Sequence, residues 1–150
     1  MGATTAQIGR AGELLVQFRL IKQGIDSAPM TTDAGIDLVA FSPRTGRSVT
    51  IQVKTNEKPK RGGGKGKLAL DWWVPDRSPA NVVALVELDT SRVWLLTMSE
   101  IKSHARQHSG DRYHLYFYTD ASVRPRARGQ KYLDVHFDEF LLERRLGQLF

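Results

Sequence analysis

The stretch GIDLVAF-SPRTGR-SVTIQVKT, residues 35–55, decides the fold. Two runs of strand-forming residues flank a turn that contains proline and glycine, which predicts a β-hairpin. If the turn is centred on residues 44–45, the numbers of paired residues sum to 89. Asp37 then lies opposite Gln52, with the two Cβ atoms about 5 Å apart. Lys54 points to the same side as Gln52, because side chains alternate along a strand.

The other face of the predicted hairpin is wholly apolar. Its cross-strand pairs are Ile36 with Val53, Leu38 with Ile51 and Ala40 with Val49. A slip of one residue would oppose Asp37 to Val53 and mix the polar and apolar faces, so the pattern favours this register. A β-bulge would break the pairing.

The composition is that of a globular protein. The chain has 150 residues, 41% hydrophobic and 25% charged, which predicts one domain, residues 1–150, with a sizeable core. Cysteine is absent, which excludes disulfides and thiolate metal sites and fits a reducing, cytoplasmic location. No apolar run approaches the ~20 residues of a membrane span. The first eight residues lack the features of a signal peptide.

The net charge of +6 is concentrated in two short segments. Residues 54–67 carry +5 and residues 124–131 carry +4, so the rest of the chain carries −3. Both segments contain glycine or proline and are predicted loops. Concentrated positive charge suits a polyanion such as nucleic acid. Two solvated loops on a mildly basic protein are the alternative. The candidate nucleic-acid-binding residues are Lys58, Lys60, Arg61, Lys65, Lys67, Arg124, Arg126 and Arg128.

Hydrophobic spacing places further elements along the chain. Ile8, Ala11, Leu15 and Phe18 predict a helix over residues 5–23, with Gly24 after its end. Strands are predicted at 68–74, 82–88, 93–97, 113–119 and 132–137. Short helices are predicted at 99–107, capped by Ser99, and at 140–146, ended by Gly147. This order predicts an α+β or mixed α/β domain built on one sheet.

Asp37, Gln52 and Lys54 carry groups that phosphodiester hydrolysis needs. Mg²⁺ neutralises phosphate oxygens and makes bound water more acidic. It takes oxygen ligands, usually one or two carboxylates with waters and substrate phosphate. Asp37 offers a carboxylate and Gln52 an amide oxygen. Lys54 offers a cation that can orient the attacking water and stabilise the transition state.

Glu13 is the best candidate for a second carboxylate. It lies on the first predicted helix, within Gly9-Arg10-Ala11-Gly12-Glu13. Glycine weakens a helix, so the two glycines indicate that another structural requirement applies at these positions. Close approach of the helix to the sheet is one such requirement. A solvated helix residue is the alternative for Glu13.

These residues resemble the PD-(D/E)xK nuclease superfamily. The motifs are Gly-Arg-Ala-Gly-Glu at residues 9–13, Gly-Ile-Asp at residues 35–37 and Ile-Gln-Val-Lys-Thr at residues 51–55. The similarity is greatest to small archaeal Holliday-junction-resolvase-like and endonuclease-like members. The matching motifs lie within residues 9–55. Over the whole chain, only the order of helices and strands is similar.

The resemblance implies a restriction-endonuclease-like fold, a single central mixed sheet flanked by helices. It also implies metal-dependent cleavage of nucleic acid, with Mg²⁺ as the ion and Mn²⁺ as the alternative. Glu13 and Asp37 would be metal ligands and Lys54 the catalytic lysine. Gln52 would hold the place of the second motif carboxylate, as a catalytic and metal-binding position. Many such nucleases act as dimers, so a homodimer is a further expectation.

The sequence departs from the family pattern at two points. Gln52 replaces the usual Glu or Asp, which removes one negative charge, although some members carry Gln there. The Pro-Asp start of the motif is interrupted, because Pro29 lies eight residues before Asp37 and Asp33 falls between them. The expected function is Mg²⁺-dependent DNA cleavage. A non-catalytic nucleic-acid binder on the same fold, an RNA-processing nuclease and a protein-interaction domain stay open.

Three other motifs carry weaker signals. Trp72 and Trp73 could stack on unpaired bases, but adjacent strand residues point to opposite faces, so one is expected in the core. The Gly-Gly-Gly-Lys-Gly-Lys run, residues 62–67, lacks the spacing of a phosphate-binding P-loop. His104 and His108 have helical i, i+4 spacing without the glutamate of a zinc motif, which favours a solvated helix face over a metal site.

Overall fold

The computed structural model describes residues 1–150 as three α-helices, nine β-strands and two 3-10 segments. The helices are α1 (Thr5–Lys22), α2 (Met98–His104) and α3 (Leu142–Leu149). The strands are β1 (Asp26–Pro29), β2 (Leu38–Phe41), β3 (Ser48–Asn56), β4 (Lys60–Arg61), β5 (Leu68–Pro75), β6 (Val82–Glu87), β7 (Arg92–Thr97), β8 (Gln107–Ser109) and β9 (Arg112–Tyr118). The 3-10 segments are Gly62–Gly64 and Asp134–Phe140. None of the helices has the length and apolarity of a membrane-spanning segment.

The central sheet has five strands in the order β1-β2-β3-β6-β7. The pair β3–β6 is parallel and the other neighbours are antiparallel, so the sheet is mixed. This confirms the predicted fold class, a central mixed sheet flanked by helices. The structure adds a second, antiparallel sheet in the order β4-β5-β9-β8. The strands β5 and β9 were predicted one by one. Their pairing, which joins residues 37 to 49 positions apart, was not predicted.

The two faces of the central sheet bury separate apolar clusters. Alternate residues of β6 divide between them: Val82, Ala84 and Val86 pack with α1 and α3, whereas Val83 and Leu85 pack with the second sheet. All six residues of β6 are buried. A strand covered on both faces has a continuous apolar run instead of an alternating one, as residues 82–87 do.

The hairpin register matches the prediction where β2 and β3 pair. Leu38 pairs with Ile51 and Ala40 with Val49, as the sum of 89 requires. The ladder ends at Leu38 and Ile51, however, so Ile36 does not pair with Val53 and Asp37 does not pair directly with Gln52. The physical reason is a local bulge at Asp37.

Helix α1 has the predicted ends, but its buried face is rotated. Thr4 caps the first turn in a reciprocal arrangement with Gln7, and Gly24 follows the helix with φ +79°. The fully buried positions are Gly12, Val16 and Leu20. Phe18, which the prediction placed in the core stripe, is 55% exposed. Apolar residues occur on several faces of this helix, so spacing alone did not select the buried one.

The glycine at position 12 explains the rotation. A Cβ atom built there would lie 1.9 Å from Oγ1 of Thr55 on β3, so only glycine lets the helix approach the strand this closely. Gly9, one turn earlier, has no neighbour within 4 Å of the same position. The expected close approach of helix to sheet therefore occurs at Gly12 and not at Gly9.

Two predicted element boundaries and one predicted strand in the C-terminal half are wrong. Thr97 caps α2 instead of Ser99, because Glu100 stands three residues after Thr97 and completes a capping box. Residues 132–137 are not a strand. The 3-10 turn at Asp134–Phe140 places Phe137 and Phe140 three residues apart on one buried face. Gly147 lies inside α3 and does not end it.

The helix contact at Gly12 yields a stability prediction. We expect Gly12→Ala to lower the free energy of unfolding by about 1–3 kcal/mol, the usual cost of overpacking a tight contact. Gly9→Ala, in the same helix, should raise it by roughly 0.5–1 kcal/mol, because alanine favours a helix and meets no neighbour. Urea unfolding followed by circular dichroism measures both. Equal effects of the two substitutions would refute the special role of position 12.

Candidate functional site

Asp37 lies at a bulge where the β2–β3 ladder ends. Its N–H donates to the carbonyl of Ile51 at 2.9 Å, the residue that already pairs with Leu38, so two residues of one strand face one of the other. Its own carbonyl accepts from Met30 at 2.9 Å. Oδ2 of Asp37 accepts from the N–H of Val53 at 2.6 Å. The carboxylate thus takes the place in the ladder that a backbone carbonyl would otherwise fill.

This bond fixes the position of the carboxylate relative to Gln52. The amide that Asp37 binds is the one that joins Gln52 to Val53, so the carboxylate lies beside the backbone of Gln52. The predicted proximity of Asp37 to this part of β3 therefore holds, although it arises through a side chain-to-backbone bond and not through a cross-strand pair. Bulges commonly redirect a side chain near functional sites.

Charged groups on three elements influence Asp37. Burial raises the pKa of Asp37 above its ordinary value of 3.8, and the hydrogen bond from Val53 lowers it. The negative charges of Glu13 and Asp33 raise the pKa further, and the positive charge of Lys54 lowers it. The structure therefore brings Glu13 and Lys54 each within electrostatic range of Asp37. A buried carboxylate that shares its site with other carboxylates is a common feature of functional sites.

Glu13 stands on the turn of α1 that touches β3. The neighbouring Gly12 packs on Thr55, the residue after Lys54. The Glu13 side chain is 26% exposed and forms an ion pair with Arg10 at 2.9 Å. Arg10 is half-exposed on the same helix and can swing away into solvent, because it has no other hydrogen-bond partner in the structure. The carboxylate is thus accessible to a different cation.

Gln52 points to the opposite face of the central sheet from Val53. It is 7% exposed and lies beside Val83 of β6. Its Oε1 atom is buried and has no hydrogen-bond partner. A buried polar atom without a partner costs free energy unless a ligand or ordered water satisfies it. Thr55, three residues along the strand, has a second such orphan, Oγ1.

Glu13, Asp37 and Gln52 carry oxygen atoms of the kinds that Mg²⁺ binds. No group of three His, Cys, Asp or Glu side chains is arranged to hold a metal, so a ligand set built on Glu13 and Asp37 needs a neutral oxygen as well. The unpartnered Oε1 of Gln52 is of the right kind. Two carboxylates with an amide oxygen and waters match the ordinary preference of Mg²⁺.

Asp33 is a residue that sequence reasoning missed as part of the site. The sequence showed it only as an interruption between Pro29 and Asp37. In the structure it is exposed, in the bend between β1 and β2, and its charge contributes to the raised pKa of Asp37. The only sequence signal for Asp33 was its position between Pro29 and Asp37.

The eight basic residues predicted to bind nucleic acid are all exposed. The segment around residues 60–64 borders the second sheet, since Gly62 packs against the hydroxyl of Tyr116 on β9. Arg126 lines a surface pocket with Tyr116 and Tyr118. Two segments that lie about sixty residues apart in the chain therefore flank the same strand.

The predicted solvated helix face for His104 and His108 is wrong, because the two residues do not share a helix. Helix α2 ends at His104, and His108 lies on β8, where it bonds to Asp76 at 2.9 Å. His104 packs against the edges of Phe137 and Phe140, and burial lowers its pKa below 6.5. Of Trp72 and Trp73, the first is 3% exposed and belongs to the core, so the expectation that one tryptophan is core is correct.

One surface pocket lies away from this site. It has a volume of about 470 Å³ and lies at the turn end of the hairpin, beside Ser42, Pro43 and Arg44. Asp37 and Lys54 stand at the other end of the two strands. A duplex or a branched nucleic acid contacts an open surface, so an enclosed cavity is not required there.

The fold has counterparts among solved structures. A bacterial homing endonuclease, I-Ssp6803I, superposes with a TM-score of 0.55 at 18% identity, over 83% of this chain and 86% of the other. Hjc, a Holliday junction resolvase from the archaeal hyperthermophile Archaeoglobus fulgidus, has a TM-score of 0.49 at 15% identity, over 71% and 82%. No family model and no curated protein sequence matches the chain. The likeness to I-Ssp6803I confirms the expected fold, a central mixed sheet flanked by helices.

The environment of Asp37 predicts opposite effects of two substitutions on stability. At pH 7 we expect Asp37→Asn to raise the free energy of unfolding, because no buried carboxylate has to ionise and the amide oxygen still accepts from Val53. Asp37→Ala should lower it by about 1–3 kcal/mol, because the Val53 amide loses its acceptor. Urea unfolding of both variants and of wild type measures the difference.

The advantage of Asp37→Asn should depend on pH with a definite sign. Since the folded-state pKa is raised above 3.8, the wild-type carboxylate destabilises the fold only when it is ionised. The penalty is absent below the unfolded-state pKa and reaches its full size once the pH exceeds the raised folded-state pKa. A gap between Asp37→Asn and wild type that widens toward acid would contradict this.

Proposed function

We propose that the protein is a Mg²⁺-dependent endonuclease that hydrolyses phosphodiester bonds of DNA. The observation that carries the proposal is that Asp37 lies within electrostatic range of Glu13 and Lys54 and accepts from the amide that joins Gln52 to Val53. The restriction-endonuclease-like fold supports it, as does the structural likeness to a homing endonuclease. The concentrated positive charge of two surface segments supports a polyanionic substrate.

A bound Mg²⁺ would supply charge neutralisation at the scissile phosphate and a more acidic water. Glu13 and Asp37 would hold the ion with their carboxylates, and Gln52 with its amide oxygen. The hydrogen bond from Val53 fixes one oxygen of Asp37 and leaves the other free to bind. Each of these residues is placed by a different element, α1, the bulge before β2, and β3.

Lys54 would act on the reacting phosphate itself. Its ammonium group can hydrogen-bond the attacking water and the non-bridging phosphate oxygen, where charge develops in the transition state. The strand β3 fixes it on the same face as Gln52, and its charge already reaches Asp37.

One observation favours a nucleic-acid binder on the same fold as the second candidate. Position 52 carries a neutral amide. A third carboxylate at this position, together with Glu13 and Asp37, would bind a metal ion more tightly. A protein that had lost cleavage but still bound DNA would have the same basic segments as an active nuclease. Salt-sensitive DNA binding, with no cleavage in Mg²⁺ or Mn²⁺ by wild type or Gln52→Glu, would select this candidate.

A homodimer remains a prediction. Two copies would supply two sites for the two strands of a duplex. Sedimentation equilibrium of the protein alone and with DNA tests it, and a single-copy mass under both conditions would reject it.

The role of Lys54 leads to a prediction about cleavage. We expect Lys54→Met to reduce the cleavage rate of supercoiled or branched DNA by at least about 100-fold, because a donor to the transition state is lost. Lys102→Met, on the exposed surface of α2, is the matched control and should cleave like wild type. Gel assays in Mg²⁺, Mn²⁺ and EDTA measure both. Equal cleavage by Lys54→Met and wild type would reject the assignment.

Gln52 leads to a prediction about metal binding that does not require activity. With two carboxylates, the free protein should bind Mg²⁺ only at a concentration on the order of millimolar. Gln52→Glu should bind it more tightly. Because the new carboxylate is buried, this variant should unfold more readily than wild type in EDTA and recover stability as Mg²⁺ is added. Calorimetric titration and thermal unfolding measure the two effects. If added Mg²⁺ does not change the stability of Gln52→Glu, residue 52 is not a ligand of the metal site.

A further inference from the structure

The outer face of the second sheet carries a set of side chains that the proposed cleavage does not use. In β5 and β9, residues such as Trp72 and Leu115 point into the core between the sheets. The alternating residues point away from it, because side chains alternate along a strand. These outward residues include Trp73 on β5 and His114, Tyr116 and Tyr118 on β9, all partly exposed.

The four outward rings form a continuous line, which we call the aromatic row. Trp73 and His114 are cross-strand partners and stack in parallel, with centroids 4.1 Å apart and planes at 4°. His114 meets Tyr116 edge-on at 5.6 Å, and Tyr116 meets Tyr118 at 4.8 Å. Asp71 holds His114 in place through a 2.8 Å hydrogen bond to Nε2. The row is therefore ordered before any ligand binds.

Arginines stand at both ends of the aromatic row. The guanidinium of Arg112 lies 5.2 Å from the Trp73 ring and that of Arg106 lies 5.8 Å from the Tyr118 ring. Arg126 reaches the same place from the loop after β9. With Arg106 and the rings of His114, Tyr116 and Tyr118 it lines an open pocket of about 260 Å³. Asp71 is the acidic side chain within the row, and it is paired with His114.

Both basic segments of the chain border this face. Gly62 lies so close to Tyr116 that a Cβ atom there would be 2.5 Å from the hydroxyl. The segment of residues 58–67 therefore flanks one side of the row, and the segment of residues 124–128 flanks the other through Arg126. A surface that joins exposed ring faces to cations on two sides is complementary to a ligand with both bases and phosphates.

We propose that the aromatic row is a binding surface for the unpaired bases of a single-stranded nucleic acid segment. Bases would stack on Tyr116, Tyr118 and Trp73, while Arg106, Arg112 and Arg126 bind the phosphates. Proteins that bind single strands combine stacking rings with a positively charged groove in this way. In a duplex each base is already stacked on its neighbours, so the rings select unpaired nucleotides.

The row connects physically to the strand that carries Lys54. Asn56, two residues beyond Lys54, donates from Nδ2 to the backbone carbonyl of Asp71 at 2.6 Å. The backbone of β5, which carries Trp73 of the row, is thus bonded to the last residue of β3. The binding does not depend on cleavage; only its use in presenting a branched or partly unpaired substrate rests on the proposed function.

Binding in EDTA tests the inference apart from cleavage. The probes are a fluorescein-labelled 12-residue oligothymidylate and a duplex of equal length, followed by fluorescence anisotropy. We expect Tyr116→Leu and Tyr118→Leu each to weaken oligothymidylate binding about 10- to 100-fold, as expected for the loss of a stacked base, and to change duplex binding less than about twofold. Tyr116→Phe, which keeps the ring, should bind like wild type.

Two matched controls test the location of the surface. Phe18→Leu removes an aromatic ring that is 55% exposed on α1, on the other side of the molecule's central sheet, and should leave the affinity unchanged. Arg44→Ala at the hairpin turn is the control for Arg126→Ala, which should weaken binding and reduce its salt dependence. If a variant and its control lose oligothymidylate affinity to the same extent, the proposal is overturned.

Tryptophan fluorescence gives a second readout. Trp72 and Trp94 are buried, so quenching by the oligonucleotide should report on Trp73 and should vanish in Trp73→Phe. Oligothymidylate binding that survives all ring substitutions, or that is no tighter than duplex binding, would overturn the inference and leave the proposed cleavage intact. Ring-dependent binding without any cleavage would instead uphold the inference and reject the nuclease.

Discussion

The hydrogen bond from the Val53 amide to the Asp37 carboxylate is the contact on which the candidate site depends. It forms where the β2–β3 ladder would otherwise leave a partly buried donor without an acceptor. The same side chain therefore closes the sheet and supplies a carboxylate to the site. Its pKa is raised by burial, so the fold holds a charged group in a place that disfavours the charge. Sites that bind cations commonly hold a carboxylate in such an unfavourable environment, since the bound cation neutralises its charge.

The helix contact at Gly12 completes the arrangement from the other side of the sheet. Because Gly12 has no side chain, α1 lies against Thr55 and brings Glu13 to the end of β3. A larger residue would push the helix outward and carry Glu13 with it. The carboxylate of Glu13 and the carboxylate of Asp37 thus depend on two local backbone features, a glycine on a helix and a bulge at a strand end.

The sequence predicted features governed by local pattern and missed those governed by tertiary packing. The register of Leu38 with Ile51 followed from the alternation of apolar residues, and the ends of α1 followed from capping by Thr4 and from Gly24. The bulge did not follow, because it inserts one residue without any special residue type. The buried face of α1 did not follow either, since Phe18 and Val16 are equally apolar and only the contact at Gly12 distinguishes them.

The second sheet shows the same division between local and long-range information. Charge runs in the sequence identified two basic segments, and adjacency identified one of Trp72 and Trp73 as core. Nothing local indicated that β5 pairs with β9, which is what places both segments beside Tyr116. Once that pairing forms, alternation sends His114, Tyr116 and Tyr118 outward together, and the cross-strand partner Trp73 extends the line. A chain whose charges and rings are scattered in sequence therefore acquires one continuous surface, and the pairing of two strands is the physical step that creates it.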